Sequence, residues 1–257
     1  MYVKIEEFVK KYAEDAMAIN TILWDVDGTL LDFELAEHNG LRECMEKHGI
    51  SVTDEQIDVY KKINQELWEM LERGEITKPE LGPERFRRFL VYMGYDVAQG
   101  DFNLVQINAD YQEALSYQHT TNKGALEVCE ALRQKGYRQY IVTNGTAFVQ
   151  RRKNRLSGID AFMEDMFISE ELGSVKPEKD FFDKCAERIT DYDPAQTMIV
   201  GDSLTSDMRG GNHAGITCCW YNPKSAVNDT DVRIDYEIRE LSEVLDCLAE
   251  AAKRGHS

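Results

Sequence analysis

TILWDVDGTLLD, residues 21–32, places two aspartates directly behind a short apolar run and follows them with a glycine. A run of this length and composition predicts a strand buried on both faces. Residues two apart on an extended chain face the same way, so Asp25 and Asp27 would approach each other although their charges repel. Such a pair indicates a bound cation, or chemistry that needs one ionised carboxylate beside one that can hold a proton, or both.

Polar residues follow other apolar runs in the same way. Three more runs show the pattern: RQYIV (138–142) before Thr143 and Asn144, TMIVG (197–201) before Asp202, and TCCWY (217–221) before Asn222. Helical patterns lie between these runs, at residues 123–135, 146–156 and 178–189. This alternation predicts an α/β fold with a Rossmann-like, doubly wound parallel sheet. Ligands of such sheets bind at the carboxyl ends of the strands, where Asp25, Thr143 and Asp202 are expected to meet.

One long interval interrupts the alternation of strands and helices. It contains only helical patterns, at residues 34–48, 54–73, 83–93 and 103–118. A crossover between parallel strands needs only about a dozen residues and its helix, so we expect an inserted α-helical cap domain at 33–119. The Rossmann-like core would then comprise 1–32 and 120–257; the alternative is a set of extra helices that decorate this core. Four aromatic residues at helical spacing are expected to form the core of the cap: Trp68, Phe86, Phe89 and Tyr92.

The composition excludes several kinds of partner. The chain has 257 residues and a net charge of −17, with 47 acidic and 30 basic side chains. Nucleic acids and anionic membranes attract clustered Lys and Arg, so neither is an expected partner. Six scattered cysteines without C-x-x-C spacing predict reduced thiols and a cytoplasmic location. The leader at 1–20 carries an amphipathic helical pattern over 3–17 and lacks the features of a secretory signal.

The acidic residues favour magnesium over calcium. An EF-hand loop that begins at Asp25 would need glycine at position 30 and glutamate at position 36, where this chain has leucine and alanine. Mg²⁺ takes fewer protein ligands and often joins one or two carboxylates to a phosphate. The segment VGDSLTSD (200–207) adds Asp202 and Asp207 at the end of another strand. Together with Asp25 and Asp27 they would repel one another strongly without a divalent cation, so we expect these four residues to form a Mg²⁺ site.

The letters GDSL at 201–204 raise a remote alternative, a GDSL-type serine esterase. Such an enzyme needs a histidine base, usually three residues after an aspartate. Here Gly210 precedes His213 at that distance, and Lys253 precedes His256. Ser203 is therefore interpreted as a loop residue beside a metal ligand.

Four segments resemble, in order, the four motifs of the haloacid dehalogenase-like hydrolase superfamily: DVDGT (25–29), VTNGT (142–146), VKPEKDFF (175–182) and IVGDSLTSD (199–207). The resemblance extends from about residue 21 to residue 245, with the helical interval where the superfamily carries its cap. The D-x-D-G-T form is similar to that of its phosphatases. A finer similarity, to the noncanonical pyrimidine 5′-nucleotidases, rests on segments at 143–145, 167–189, 201–211, 219–223 and 236–241. Trp24, where phenylalanine is usual, and the leader depart from that pattern.

This resemblance implies roles for the two aspartates of the first motif. Asp25 would be the nucleophile that attacks phosphorus and forms an aspartyl phosphate. Asp27 would donate a proton to the leaving oxygen and then take one from the hydrolytic water.

The other motifs imply residues that bind phosphate and metal. The Thr143 hydroxyl and the Asn144 backbone N–H would donate to the phosphate oxygens. Lys176 would supply a fixed positive charge to the catalytic centre. Asp202 would bind Mg²⁺ directly, and Asp207 would support the metal or orient Lys176.

The resulting hypothesis is a Mg²⁺-dependent phosphomonoester hydrolase that acts on a small-molecule phosphate ester, with a 5′-nucleotidase for nucleoside monophosphates favoured. A sugar-phosphate or phosphoglycolate phosphatase and a phosphomutase would share the same core residues and stay open as alternatives. A non-catalytic binding protein on the same fold would be expected to lack one of the motif acids, and all are present.

Overall fold

The computed structural model describes residues 19–99 and 102–254. The helix predicted at 3–17 lies outside these residues. Within the described part, six parallel strands form one sheet in the order β3-β2-β1-β4-β5-β6. Their bounds are β1 Thr21–Trp24, β2 Arg138–Thr143, β3 Asp165–Ile168, β4 Thr197–Gly201, β5 Thr217–Tyr221 and β6 Tyr236–Ile238.

Alternate residues of each central strand pack on opposite faces of the sheet. On β1, Ile22 and Trp24 join one hydrophobic cluster and Leu23 joins the other. On β5, Cys219 joins the first cluster and Cys218 the second, because neighbours on a strand face opposite sides of the sheet. Apolar cores on both faces explain why the strands read as nearly continuous apolar runs. The predicted α/β class and parallel Rossmann-like sheet are confirmed.

The four strands expected from sequence are present, and two others were missed. Strands β3 and β6 have four and three residues. Each carries an acidic residue, so neither forms an apolar run that the sequence pattern could reveal. Both obtain their strand geometry from pairing, β3 with β2 and β6 with β5.

The described chain divides into two compact units, and the first contains the sheet. This unit comprises the described residues up to 31, together with 121–145 and 158–254. We number the helices of both units together in chain order. Those of the first unit are α5 Ala125–Gln134, α7 Ser169–Leu172, α8 Lys179–Ala186, α9 Arg209–Ala214 and α10 Val244–Arg254. Both α5 and α10 contribute to the cluster that contains Trp24, whereas α8 packs on the opposite face.

The second unit is helical and comprises residues 32–120 and 146–157. Its helices are α1 Phe33–Lys47, α2 Asp54–Glu72, α3 Lys78–Tyr92, α4 Leu104–Ser116 and α6 Ala147–Ser157. Helix α3 begins earlier than predicted because the Glu80 carboxylate accepts hydrogen bonds from the backbone N–H and the hydroxyl of Thr77. The helix then continues through Pro83, which costs it a single backbone hydrogen bond.

An aromatic cluster fills the interior of the second unit. Tyr60 packs against Phe86, Phe89 and Tyr111 at ring-centroid distances of 5.4–5.7 Å. The expectation of a core role is confirmed for the two phenylalanines, which are fully buried. It was wrong for Tyr92, which is 53% exposed because it lies on the outer side of the last turn of α3.

A buried polar network crosses the same unit and was not foreseen. Asn64 Nδ2 donates to Glu37 Oε1 at 2.7 Å, and Arg85 Nη1 donates to Asn64 Oδ1 at 3.2 Å. Burial raises the pKa of the Glu37 carboxyl to about 7, and the hydrogen bond from Asn64 opposes that shift.

The raised pKa of Glu37 predicts a pH-dependent stability. The folded state retains the Glu37 proton up to about pH 7, whereas an ordinary glutamate loses it near 4.5. The contribution of Glu37 to the free energy of unfolding is therefore fully present below pH 4.5. It is lost as the pH rises to 7, and the loss amounts to about 3 kcal/mol. Glu37→Gln should remove this loss, so its stability relative to the wild type should increase across that range. Urea denaturation at several pH values checks this.

A matched control for Glu37→Gln is Glu46→Gln, on the exposed side of the same helix. This variant should follow the wild-type pH profile. If the Glu37→Gln and wild-type profiles ran parallel from pH 4.5 to 8, the carboxyl would not retain its proton in the folded state.

No described helix combines the length and the apolar character needed to cross a membrane.

Candidate active site

Three of the predicted site residues lie side by side at the carboxyl edge of the sheet. Strand β1 lies between β2 and β4, and Trp24 pairs with Ile141 and Val200. Asp25 immediately follows Trp24, and its backbone N–H continues the ladder by donating to Val200 O at 2.9 Å. Thr143 ends β2 and Asp202 follows β4. The register of the three strands thus brings together residues that are far apart in sequence.

Lys176 joins two of the aspartates. Its Nζ donates to Asp25 Oδ1 at 2.7 Å, to Asp207 Oδ1 at 2.6 Å and to the Val142 carbonyl at 2.9 Å. These three acceptors match the three protons of an ammonium group. The lysine is only 1% exposed, so its charge is buried but fully hydrogen-bonded. The arrangement fixes the position of a positive charge beside Asp25.

Asn144 holds the segment that carries Lys176. The Asn144 side chain accepts from the Lys176 backbone N–H at 2.8 Å and donates to the Lys176 carbonyl at 2.9 Å. Ser169 Oγ in turn donates to the Asn144 carbonyl at 3.2 Å. The loop after β2 therefore anchors the lysine at its backbone, while the two carboxylates hold its tip.

Two glycines make room for the acidic side chains. A Cβ on Gly28 would lie 2.5 Å from Asp202 Oδ2, and φ there is +95°, a conformation that favours glycine. A Cβ on Gly201 would collide with the Asp207 carboxylate. Asp207 also accepts from the Ser203 backbone N–H at 3.1 Å through Oδ2. Both oxygens of Asp207 thus have donors within the site.

Asp202 is held from two sides. Thr29 Oγ1 donates to its carboxylate at 3.3 Å, and the indole Nε1 of Trp220 donates to its backbone carbonyl at 2.9 Å. Trp220 is nearly fully buried and belongs to a hydrophobic cluster of the sheet. The backbone of Asp202 is therefore coupled to β5.

Burial and mutual repulsion perturb the acids of the site. Burial raises the pKa of Asp25 well above its ordinary value; Lys176 opposes the shift and Asp207 adds to it. Desolvation by the surrounding protein atoms is the largest cause that raises the pKa of Asp202, and repulsion from Asp207 is the next. Because the side chain of Asp202 is also exposed, solvent moderates this shift. Burial alone would lower the pKa of Lys176, but the attraction of Asp207 and Asp25 outweighs it and raises that pKa. The lysine is therefore charged at neutral pH.

The donor set suits a hard divalent cation. Asp25, Asp202 and Asp207 each offer a carboxylate oxygen, and these oxygens lie within 4.8 Å of one another. Oxygen ligands of this kind are those that Mg²⁺ prefers. A cation would also offset the repulsion that raises the pKa values of Asp25 and Asp202. The residues present thus fit a magnesium ion.

Asp27 also lies at this edge, and Thr143 has a free hydrogen-bonding capacity there. Asp27 is half-buried and forms a β-bridge with Leu31 just after β1. Thr143 Oγ1 accepts from the Gly145 backbone N–H at 3.0 Å, which leaves the hydroxyl proton able to donate elsewhere.

The serine of the GDSL segment serves a structural purpose. Ser203 Oγ accepts from the Ser206 backbone N–H at 3.1 Å and so caps the helical turn Leu204–Met208. His213 Nδ1 donates to the Pro177 carbonyl at 2.8 Å. These contacts favour the loop interpretation of Ser203 over an esterase nucleophile.

The sequence did not reveal the side-chain role of Asn144 or the contact of Trp220 with Asp202. Both link segments that are distant in the chain, and neither residue type has a spacing that would indicate its partner.

Known proteins resemble this chain in sequence and fold. Residues 19–215 match the family model described as haloacid dehalogenase-like hydrolase. HAD-hydrolase YfnB of Bacillus subtilis is 39% identical over 224 residues, which cover 87% of this chain and 93% of YfnB. Pyrimidine 5′-nucleotidase PynA of Streptococcus pneumoniae is 35% identical over 227 residues, covering 88% of this chain and 94% of PynA.

A solved structure is also similar. The crystal structure of YfnB from B. subtilis bound to magnesium has a TM-score of 0.84 and 37% identity, and the match covers 90% of this chain and 99% of that one. The alignment thus includes nearly all of that protein. With the family model, the relatives and the fold in agreement, the chain belongs to the haloacid dehalogenase-like hydrolases.

Proposed function

We propose that this protein is a Mg²⁺-dependent phosphomonoester hydrolase that works through an aspartyl-phosphate intermediate. The observation that carries the proposal is the contact of Lys176 Nζ with both Asp25, at 2.7 Å, and Asp207, at 2.6 Å. A buried lysine beside a carboxylate at the carboxyl edge of a parallel sheet is suited to a substrate that brings additional negative charge.

The first step is attack of an Asp25 carboxylate oxygen on phosphorus. The bond from phosphorus to the ester oxygen breaks, and Asp27 donates a proton to the departing alcohol. In the second step Asp27 takes a proton from water, whose oxygen attacks the phosphoryl group and releases Asp25. The two carboxylates lie two residues apart, so both can act on one substrate.

Positioning of the phosphoryl group falls to three other residues. The Thr143 hydroxyl and the Asn144 backbone N–H donate to phosphoryl oxygens, and Lys176 offsets the charge that they carry. The Asn144 side chain is already engaged with the Lys176 backbone, so it acts as a support.

The carboxylates of Asp25 and Asp202 and the backbone carbonyl of Asp27 would hold the magnesium ion. When bound, the ion would supply neutralising charge to the phosphate and offset the repulsion between the carboxylates. Both carboxylate oxygens of Asp207 accept hydrogen bonds, one from Lys176 and one from Ser203. We therefore propose that Asp207 orients the lysine.

We further propose nucleoside monophosphates as substrates and the cytoplasm as the location. Similarity to PynA, named as a pyrimidine 5′-nucleotidase, supports the substrate class. The second unit, 32–120 with 146–157, is proposed to act as the cap that selects the alcohol part of the substrate. Its first segment, 32–120, follows the first motif in the sequence, and its second segment, 146–157, follows the second motif.

A phosphate-release assay tests the proposal. Wild-type protein would be offered nucleoside monophosphates, sugar phosphates and phosphoglycolate, with Mg²⁺ and with EDTA. We expect Mg²⁺-dependent release, with the highest kcat/KM for nucleoside monophosphates. A clear preference for sugar phosphates would refute the nucleotidase assignment alone. Conversion of a sugar phosphate to its isomer without phosphate release would indicate a phosphomutase, and inactivity on every ester would refute the hydrolase proposal.

A further inference from the structure

A buried hydrogen bond joins β1 to β2 directly before Asp25. The indole Nε1 of Trp24 donates to Gln139 Oε1 at 3.0 Å, and the two residues are 0% and 1% exposed. Trp24 is the last residue of β1, and Gln139 is the second residue of β2. In the sheet register Gln139 pairs with Ile22, so its contact with Trp24 runs diagonally across one face of the sheet. Both residues belong to the first unit.

The Gln139 amide accepts a hydrogen bond on one side and donates on the other. Its Nε2 donates to the Cys129 carbonyl of α5 at 2.8 Å and lies 3.5 Å from the Phe162 carbonyl. An indole nitrogen only donates and a backbone carbonyl only accepts, so a bridge between them needs a group that does both. An amide meets this requirement without carrying a charge. The side chain of Trp24 is therefore tied through Gln139 to the backbone of α5.

The tryptophan at position 24 makes this bridge necessary. Its ring lies in a hydrophobic cluster, where the N–H would have no partner if the Gln139 oxygen were absent. A buried donor without a partner costs more free energy than an ordinary hydrogen bond contributes. The indole can avoid that cost only by moving, and its movement carries the backbone of residue 24 with it. A phenylalanine ring is apolar and has no donor, so it would need no such partner.

Any movement of Trp24 reaches Asp25 through a single peptide unit. The Cα atoms of neighbouring residues are about 3.8 Å apart, and the peptide between them is rigid. On the β4 side, the Asp25 N–H donates to the Val200 carbonyl at 2.9 Å. The Asp25 carboxylate accepts from Lys176 at 2.7 Å. The contact of Trp24 with Gln139 adds a side-chain anchor on the β2 side.

We propose that Gln139 is a positioning residue: it holds Trp24, and through it Asp25, in the geometry that attack on phosphorus requires. This inference rests on the proposed function, because the group that is positioned is the nucleophile of that mechanism. The effect belongs to kcat rather than KM. A displaced Asp25 leaves Thr143 and Asn144 able to bind the phosphate but lengthens the path of attack.

The indole N–H resonance of Trp24 tests the contact without any assay of activity. The chain has three tryptophans, so the ¹⁵N–¹H spectrum should contain three indole peaks, and Trp24→Phe identifies one of them. We expect this peak to exchange slowly with D₂O in the wild type. In Gln139→Met it should shift and exchange at least about 10-fold faster. The same position and exchange rate in both proteins would refute the hydrogen bond.

Steady-state phosphate release tests the positioning. Gln139→Met should lower kcat about 10-fold and leave KM within about 2-fold of the wild type. Trp24→Phe combined with Gln139→Met should bring kcat back to within about 3-fold of the wild type, because phenylalanine needs no acceptor. Trp24→Phe alone should be less active than this double variant, since it leaves the Gln139 oxygen buried without its donor. A purely structural role predicts the opposite order, because the double variant removes the most packing.

Two variants serve as matched controls. Leu248→Ala removes packing from the same hydrophobic cluster and should lower Tm without changing kcat. Gln134→Met makes the same replacement at an exposed position of α5 and should change neither.

The outcomes separate this inference from the proposed function. An active wild type with unchanged kcat in Gln139→Met, or with no recovery in the double variant, would overturn the positioning role and leave the hydrolase proposal intact. Inactivity of the wild type on every phosphate ester would refute the proposed function, while the indole resonance would still decide whether the contact exists.

Discussion

Asp25→Asn should abolish phosphate release while the protein remains folded. The amide cannot form the aspartyl phosphate, so turnover should fall by roughly four orders of magnitude or more. The carboxamide oxygen can still accept the hydrogen bond that Lys176 Nζ gives to Asp25. Burial raises the pKa of Asp25, so its charge is costly in the folded state, and the neutral amide should leave Tm unchanged or higher. Steady-state kinetics and thermal denaturation measure the two effects.

The exposed residue Asp229 provides the control, because Asp229→Asn makes the same chemical change in the loop between β5 and β6. That variant should keep wild-type activity. Acid-quenched wild-type enzyme should carry a phosphoryl group on the peptide that contains Asp25. Activity of Asp25→Asn above a few per cent of wild type would rule out this carboxylate as the nucleophile.

Lys176→Met should lower both the free energy of unfolding and the activity. Lys176→Met leaves the carboxylates of Asp25 and Asp207 buried without their shared cation. Breaking a buried ion pair on one side costs about 3–5 kcal/mol. Loss of the fixed charge should also lower kcat by at least about 10²-fold, as expected when one preorganised donor to the transition state is removed. Urea denaturation and phosphate release measure these changes.

Lys179 offers a matched control three residues away. Its Nζ lies 2.5 Å from Asp183 Oδ1, but both side chains are more than half exposed. Lys179→Met should therefore change stability by less than about 1 kcal/mol. Adding Asp207→Asn to Lys176→Met should restore part of the lost stability but not the activity. If Lys176→Met were as stable as the wild type, the two carboxylates would not depend on the lysine.

Local pattern was sufficient to predict most of the sheet. Strands with two buried faces are continuous apolar runs. Four strands could be predicted because each run stops at a polar residue: β1, β2, β4 and β5. The short strands β3 and β6 lack such runs, so only their pairing with neighbours defines them. Helix α3 begins at Lys78, before the predicted residue 83, because the Thr77–Glu80 cap starts it there.

The sequence by itself determined the family and the candidate site residues: acids directly after two strands and a lysine in a loop, in an order that resembles the motifs of the family. Tertiary structure alone decided how they are supported. The contacts of Asn144 with the Lys176 backbone and of Trp220 with Asp202 each join segments that have no fixed spacing in the chain. Strand ends can be read locally because burial of both faces makes each strand a continuous apolar run that stops at a polar residue. Contacts between separate loops follow from the register of the sheet and the packing around it, which no local pattern encodes.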